Sequence, residues 1–265
     1  MTTAPGGSGR LWGLGVGPGD PELLTLKAYR VIQETDVIAW FAATRRVSNA
    51  RRIVETHLRA GQEELPLIYP VTTETLPDGV VYDDLLTTFY DQSAKRIAEL
   101  LDEGRDVAVL CEGDPFFYGS YMYLHNRLAG RYEQQVVPGV PGMLAGAAVL
   151  GTPLVCLNEV LSVLSGVLPA DELQRRLADS EAVVIMKIGR HLTKVRDCVE
   201  RAGLLPRAWY VERATMTAER LLPLADADPA SAPYFSMVVI PSATVTSRWA
   251  VPLPRPAPPT RRPGD

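Results

Sequence analysis

The stretch that decides the fold is Glu112–Ser120, EGDPFFYGS. It follows a short apolar run, Asp106–Cys111, which is typical of a buried strand, and it precedes apolar residues at helical spacing between Tyr121 and Leu128. A strand, a tight turn and a helix are therefore predicted in succession. Gly113 permits backbone torsions that other residues resist, and Pro115 fixes its own φ. In open α/β sheets, ligands bind beyond the carboxyl ends of strands, so this turn is a possible binding site.

A second turn of the same kind lies near the start of the chain, in Leu11–Ala28, LWGLGVGPGDPELLTLKA. Its glycines do not form the dinucleotide-binding pattern G-x-G-x-x-G, because Pro18 and Asp20 stand where the last glycine is required. The acidic residue expected at the end of the next strand is also absent, since Asp36 precedes that strand. Asp20 suits the N-cap of a helix, with Pro21 at the first helical position. The sequence predicts that this helix runs on to Glu34.

Composition narrows the functional class. The 265 residues carry a formal net charge of −4, which disfavours a general nucleic-acid binder. No apolar stretch is long enough to span a bilayer. The three cysteines are scattered and the three histidines lack ligand spacing, so the sequence predicts reduced thiols and no metal site. These features favour a cytoplasmic protein.

Alternating strand and helix patterns favour an α/β fold, with helices packed over a largely parallel sheet. The repeated alternation predicts two α/β domains, 10–137 and 138–245, divided at Pro138. Two such domains side by side leave a cleft, which is a common place for a small ligand. Residues 1–9 and 252–265 are expected to be disordered tails, because the first lacks an apolar core and the second is rich in Pro and Arg.

Four ordered segments resemble the signatures of the tetrapyrrole methylases, the S-adenosylmethionine-dependent enzymes of corrin and sirohaem synthesis. Two are the turns already described, which are similar to V-G-x-G-P-G-D-P-E-L-L-T-L-K-A and G-D-P-x-x-Y-G-S. The other two are Val136–Val140, similar to V-P-G-[IV], and Tyr210–Met216, similar to V-E-x-[AG]-T. The resemblance runs from about Arg10 to about Pro241. Further segments resemble the members that methylate precorrin-2 at C-20: Tyr69–Glu74, Glu112, Tyr118–Met122, Val184–Arg190 and Pro233–Ser236.

The resemblance implies that S-adenosylmethionine binds between the domains, largely through backbone contacts and without a metal. Where the family usually has Thr or Ser followed by Ala, this sequence has Pro141-Gly142, which offers a carbonyl but no hydroxyl. The alignment at Met186 and Lys187 is ambiguous by one position. The implied cofactor-binding residues are Pro18, Glu112, Gly113, Asp114, Phe117, Tyr118, Ser120, Pro141, Gly142, Met186 and Ala214.

The implied reaction moves a methyl group from sulfonium to a carbon of precorrin-2, and aligning the two is the main task of such an enzyme. No Ser-His-acid grouping is present, and the reaction requires none. Asp114 and Glu112 are the candidates for removing the proton from the methylated carbon. The alternative for Asp114 is that it caps the turn by accepting from backbone amides.

Precorrin-2 carries many carboxylates, so its site should offer cations. The alternative is that each of these residues belongs to a solvated surface. The candidates by position near turns are Arg45, Arg46, Lys187, Arg190 and Arg213, together with His191.

Three other functions stay open from the sequence. The first is methylation of a different ring carbon by another member of the family. The second is a preference for cobalt-loaded substrate, as in the anaerobic route. The third is a non-catalytic nucleotide-binding module built on the same fold. The resemblance also implies a homodimer, because members of the family usually pair.

Overall fold

The computed structural model describes residues 7–44, 47–71 and 81–244. The chain forms two compact units that divide between Pro141 and Gly142. The domain limits drawn at Pro138 remain a prediction. The predicted tail 252–265 lies outside the described residues, as do residues 1–6 of the other tail. Gly9, by contrast, is buried and its N–H donates to the carbonyl of Leu101 at 2.7 Å, so the ordered structure includes part of the predicted tail.

The first unit contains a five-stranded sheet in which every neighbouring pair is parallel. The spatial order is β3-β2-β4-β1-β5, so the strand that precedes Glu112 lies at the centre, as expected for a fully apolar run. Pro66 falls inside β3, where it is tolerated because β3 is an edge strand. The strands are β1 (Leu11–Gly15), β2 (Val37–Ala43), β3 (Glu63–Tyr69), β4 (Val107–Cys111) and β5 (Gln134–Val137).

Alternate residues of the central strand face opposite layers of helices. Val107 and Val109 pack with the long helix α3, whereas Ala108 and Leu110 pack with α1 on the other face. The helix expected from Pro21 is one 3₁₀ turn, and α1 starts separately because Thr25 accepts from the N–H of Ala28 at 3.1 Å. The helices are α1 (Leu26–Glu34), α2 (Asn49–Ile53), α3 (Tyr82–Asp102) and α4 (Tyr121–Leu128), with 3₁₀ turns at Pro21–Leu23 and Glu55–His57.

The second unit also contains a five-stranded sheet, in the order β6-β7-β10-β8-β9. The prediction of a largely parallel sheet is wrong here, since only β6 and β7 pair in parallel. The last strand, β10, returns to lie antiparallel between β7 and β8, and β9 is antiparallel to β8. The strands are β6 (Leu161–Ser165), β7 (Ala182–Met186), β8 (Trp209–Glu212), β9 (Arg220–Pro223) and β10 (Ser236–Ile240).

Small residues let helix α5 (Gly142–Leu150) of the second unit lie close to β10. A methyl group added at Gly146 would stand 3.0 Å from the sulfur of Met237. No helix among the described residues has both the length and the apolar character to cross a membrane. The helices are α5 (Gly142–Leu150), α6 (Ala170–Ala178) and α7 (Leu192–Arg201), with 3₁₀ turns at Gly189–His191, Leu205–Arg207, Leu224–Asp226 and Pro229–Ser231.

Candidate functional site

The turns that follow β1, β4 and β5 meet through their glycines. A methyl group added at Gly139 would lie 2.0 Å from the carbonyl oxygen of Gly113, and one added at Gly15 would lie 2.7 Å from the same oxygen. Real side chains do not come so close to backbone, so Gly15 and Gly139 are required for this approach. The carboxyl ends of three parallel strands are therefore joined main chain to main chain.

Hydrogen bonds fix the two signature turns to each other. Gly113 has a φ of 66°, in the left-handed region, and its N–H donates to the carbonyl of Gly17 at 2.7 Å. The N–H of Val16 donates to the carbonyl of Cys111 at 2.9 Å. Pro18, in the same turn, is buried. The first turn and the Glu112–Ser120 turn thus form one rigid edge.

Asp114 holds two turns at once. Its Oδ1 accepts from the N–H of Phe116 at 2.9 Å, and its Oδ2 accepts from the N–H of Gly139 at 3.1 Å. The bond to Phe116 is the one expected if Asp114 caps its own turn. The bond to Gly139 is an additional contact, with the turn after β5. A role for Asp114 in proton removal stays a prediction.

Glu112 connects the same turn to α2. Its Oε1 accepts from the N–H of Ala50 at 3.1 Å, at the start of that helix, where Ser48 also accepts from the N–H of Arg51. Burial raises the pKa of the Glu112 carboxyl, and the backbone hydrogen bonds that it accepts oppose this rise. A carboxyl with a raised pKa is suited to exchanging protons nearer neutral pH.

The rest of the turn presents aromatic side chains. Phe116 is 49% exposed and Tyr118 is 45% exposed, while Phe117 is half-buried beside Tyr118. Tyr118 has a φ of 57°, which is unusual for a residue with a side chain. Strained residues of this kind are concentrated at ligand sites. An exposed aromatic surface on a strained turn suits the face of a planar ligand.

In the second unit, left-handed residues follow two of the strands. Lys187 comes directly after β7 with a φ of 56°, and Arg213 and Thr215 follow β8 with φ values of 48° and 65°. Met186 is half-buried at the end of β7, and Ala214 is buried between the two strained residues. Met186, Lys187, Arg213 and Ala214 therefore lie at or just after strand ends, as Gly113 and Asp114 do in the first unit.

Arg213 is engaged by a buried carboxylate. The Glu212 side chain is only 5% exposed, and it forms an ion pair with Arg213 and a longer one with Arg220 at 3.7 Å. Its Oε2 also accepts from the hydroxyl of Tyr210 at 3.0 Å, and burial together with this bond raises the pKa of Tyr210 to about 12. Glu212 is not among the residues predicted from the sequence, although it stands in the V-E-x-[AG]-T segment.

The other predicted residues fall into three pairs. Pro141 ends the first unit and Gly142 begins α5 in the second. Arg190 is exposed in the 3₁₀ turn after β7, beside His191, whose pKa is lowered by burial and by Lys194 and Arg190. Arg45 and Arg46 lie outside the described residues.

Among the described residues, neither a metal-ligand cluster nor the groove of the first unit involves the predicted ones. Within the described ranges, no three His, Cys, Asp or Glu side chains are grouped so as to hold a metal ion. A groove of about 430 Å³ runs along α3 and α4 in the first unit. Its lining is mixed in charge and includes none of the predicted residues: Asp91, Ala94, Lys95, Ala98, Glu99, Asp102, Arg127, Leu128 and Arg131.

Comparison with known proteins decides the family. Residues 10–228 match the model of the Tetrapyrrole (Corrin/Porphyrin) Methylases. The chain belongs to this family. The resemblance drawn from the four motifs and the two-sheet α/β fold are both confirmed. The turns after β1, β4 and β5, which meet at Gly15, Gly113 and Gly139, carry three of the four segments that resemble the family's signatures.

Individual relatives agree with this assignment. The chain is 52% identical to the cobalamin biosynthesis protein CobIJ of Mycobacterium bovis over 88% of its own length, but it spans only 46% of that protein. It is 51% identical to the precorrin-2 C(20)-methyltransferase of a Sinorhizobium species, over 89% of this chain and 96% of that one. Among solved structures, the uroporphyrin-III C-methyltransferase of Thermus thermophilus complexed with S-adenosylhomocysteine is similar with a TM-score of 0.64 and 25% identity, covering 91% of this chain and 95% of that one.

Proposed function

We propose that the chain is an S-adenosylmethionine-dependent methyltransferase that methylates precorrin-2 at C-20 to give precorrin-3A. The observation that carries the proposal is the 51% identity with the Sinorhizobium precorrin-2 C(20)-methyltransferase, which extends over 96% of that protein. Because the chain spans about half of CobIJ, the proposed activity is compared only with the half of CobIJ that aligns with this chain. The segments that resemble members methylating precorrin-2 at C-20 support the same substrate.

The strand-end turns of the first unit fit an adenosyl ligand. Gly113 gives the turn a left-handed backbone that is hydrogen-bonded to Gly17, and Phe116 and Tyr118 offer exposed aromatic faces in the same turn. The Thermus relative, whose structure holds S-adenosylhomocysteine, supports this placement. When bound, S-adenosylmethionine supplies an activated methyl group, so the protein has mainly to orient the acceptor carbon.

The chain's own residues then have three roles in the proposal. Asp114 fixes the turns after β4 and β5 in one geometry through its two backbone contacts. Glu112, with its raised pKa, is the carboxyl better suited to receive the proton from the methylated carbon. Lys187, Arg190 and Arg213 are the proposed partners of the substrate carboxylates; the same role for Arg45 and Arg46, which lie outside the described residues, stays a prediction.

The experiment is incubation with precorrin-2 and S-adenosylmethionine labelled in its methyl group, followed by NMR of the product. The proposal expects the label at C-20. A label at another ring carbon would favour a different member of the family, and faster turnover of cobalt-loaded substrate would favour the anaerobic relative. Failure to consume S-adenosylmethionine would favour a non-catalytic module.

A homodimer in the cytoplasm completes the proposal. The dimer rests on family resemblance, and sedimentation at micromolar concentration tests it, since a monomer there would contradict it. The cytoplasmic location rests on the three free cysteines, which suit a reducing compartment.

A further inference from the structure

Ser120 ends the signature turn, and its hydroxyl is already occupied within the protein. The Ser120 Oγ lies 2.5 Å from the Oη of Tyr69, at the end of β3, although the two residues are far apart in the sequence. Tyr90 of α3 lies beside Tyr69, with ring centroids 6.4 Å apart, and hydrogen bonds with Ser120 and Tyr69 oppose the rise in the Tyr90 pKa that burial causes. Three hydroxyl groups from three elements therefore form one network behind the turn.

The rings that carry these hydroxyls are fixed by packing. The ring of Tyr69 stacks on Phe41, with centroids 5.5 Å apart, and contacts Phe89 at 4.8 Å. Tyr90 is only 5% exposed and stacks on Tyr123 of α4 at 4.5 Å. Because the rings cannot move freely, the hydroxyls define a fixed point for Ser120.

The turn is thus held at both ends and exposed between them. Asp114 fixes its start and the hydroxyl network fixes its end, while Phe116 and Tyr118 lie in the exposed span. The span is folded tightly, since a methyl group added at Gly119 would lie 2.5 Å from the carbonyl oxygen of Pro115. A residue such as Tyr118 keeps a left-handed backbone only when its surroundings impose it.

We infer that Tyr69 and Tyr90 are positioning residues, which hold the Glu112–Ser120 turn through Ser120 in the shape that binds the adenosyl ligand. The inference rests on the proposed function. A turn that is ordered before binding loses less conformational freedom when the ligand arrives, so the network raises affinity without touching the ligand.

The test is calorimetric titration with S-adenosylhomocysteine of the unaltered protein, Tyr69→Phe, Ser120→Ala and the double variant. We expect each single change to raise the Kd by about 2- to 12-fold, the range that corresponds to one hydrogen bond. The Kd of the double variant should be about equal to that of whichever single variant binds less tightly, because both substitutions remove the same contact. Ser120→Thr keeps a hydroxyl and should restore most of the affinity.

Tyr132→Phe is the matched control. Tyr132 is buried, and its hydroxyl donates to Asp102 at 2.8 Å, at the far end of α3 from Tyr90. This variant should lose stability to a similar extent in thermal melts and keep the Kd of the unaltered protein.

The outcomes separate the inference from the proposed function. If Ser120→Ala weakens binding and Tyr69→Phe does not, Ser120 acts by direct contact and the positioning role is wrong. Equal weakening by Tyr132→Phe would show a general loss of stability and would also overturn it. If the unaltered protein does not bind S-adenosylhomocysteine, the proposed function and this inference fail together.

Discussion

The two units hold their strand-end loops in different ways. In the first unit, Gly15, Gly113 and Gly139 bring backbone against backbone. In the second, the loops after β7 and β8 contain left-handed residues with full side chains, and the buried carboxylate of Glu212 secures one of them through Arg213. The loops of the first unit are held by backbone contacts that side chains would prevent. One loop of the second unit is held by an ion pair between two side chains.

Sheet topology explains this difference. Neighbouring strands lie about 4.8 Å apart, and β1 is the direct neighbour of both β4 and β5, so their loops meet at main-chain distance. In the second sheet β10 separates β7 from β8, which places the ends of those strands about 10 Å apart. Backbone contact between these two loops is therefore not available, and the Glu212–Arg213 pair acts within the loop after β8, since its two residues are adjacent in the sequence. The comparison predicts that the two units respond differently to matched substitutions.

The largest effect is expected for Gly139→Ala. The added methyl group would lie 2.0 Å from the backbone oxygen of Gly113, so the turns must separate, and we expect a loss of about 3 kcal/mol in the free energy of unfolding. The control is Gly142→Ala in the second unit, where the nearest atom lies 3.6 Å away. Urea denaturation of both variants measures the difference; equal stability would contradict the backbone junction.

Glu212→Gln should have the next largest effect. It removes the charge opposite Arg213 and Arg220, and we expect a loss of about 2 kcal/mol, less than for a fully buried pair because both arginines are partly exposed. Glu172→Gln is the control, since Glu172 also pairs with two arginines but on the surface of α6, where about 0.5 kcal/mol is expected. Similar losses in thermal unfolding of the two variants would show that Glu212 is not a structural hub.

Asp114→Asn should have a moderate effect. The amide keeps one acceptor, so one of the two backbone bonds is lost, at about 1 kcal/mol of stability and with modestly weaker cofactor binding. Turnover of the bound complex should change little in a single-turnover assay, whereas a drop of about a hundredfold would show a role in proton removal. Asp228→Asn is the control, because Asp228 caps the N–H of Ala230 alone.

The smallest effect concerns the pH dependence of stability at Glu112. Because its folded pKa is raised, the protonated carboxyl favours the folded state, and this contribution is lost as the pH rises through the folded pKa. Glu112→Gln carries no titrating proton. We therefore expect the stability of the unaltered protein relative to this variant to fall in urea titrations as the pH rises from about 4, near the pKa of an unperturbed glutamate, through the raised folded pKa. A constant difference would contradict the effect of burial.

The sequence allowed the first unit to be predicted well because its turns require particular residues. Gly and Pro mark the ends of β1, β4 and β5, and the pairing of those ends follows from a parallel sheet. The helix from Tyr82 was also predicted to within one residue, since its apolar side chains recur at helical spacing and Gly104 ends it.

The second unit was less predictable because its topology depends on contacts between distant segments. Nothing local to Ser236–Ile240 shows that this strand lies between β7 and β8, and the short strand β9 has no clear alternation. At the site, the engagement of Ser120 by Tyr69 and of Arg213 by Glu212 also depends on tertiary packing. Such partners are set by the fold and have no signature in residue spacing.

Pro66 has a consequence for the protein in concentrated solution. It sits within β3, the outermost strand of the first sheet, and it cannot donate a hydrogen bond to a strand arriving from another molecule. Glu63 and Glu64 are exposed on the same strand and, with their partners Arg105 and Arg51, add charged groups to this margin. The edge is thereby protected against intermolecular β-pairing, and replacing Pro66 with a β-branched residue should promote aggregation during refolding even where the native state is unaffected.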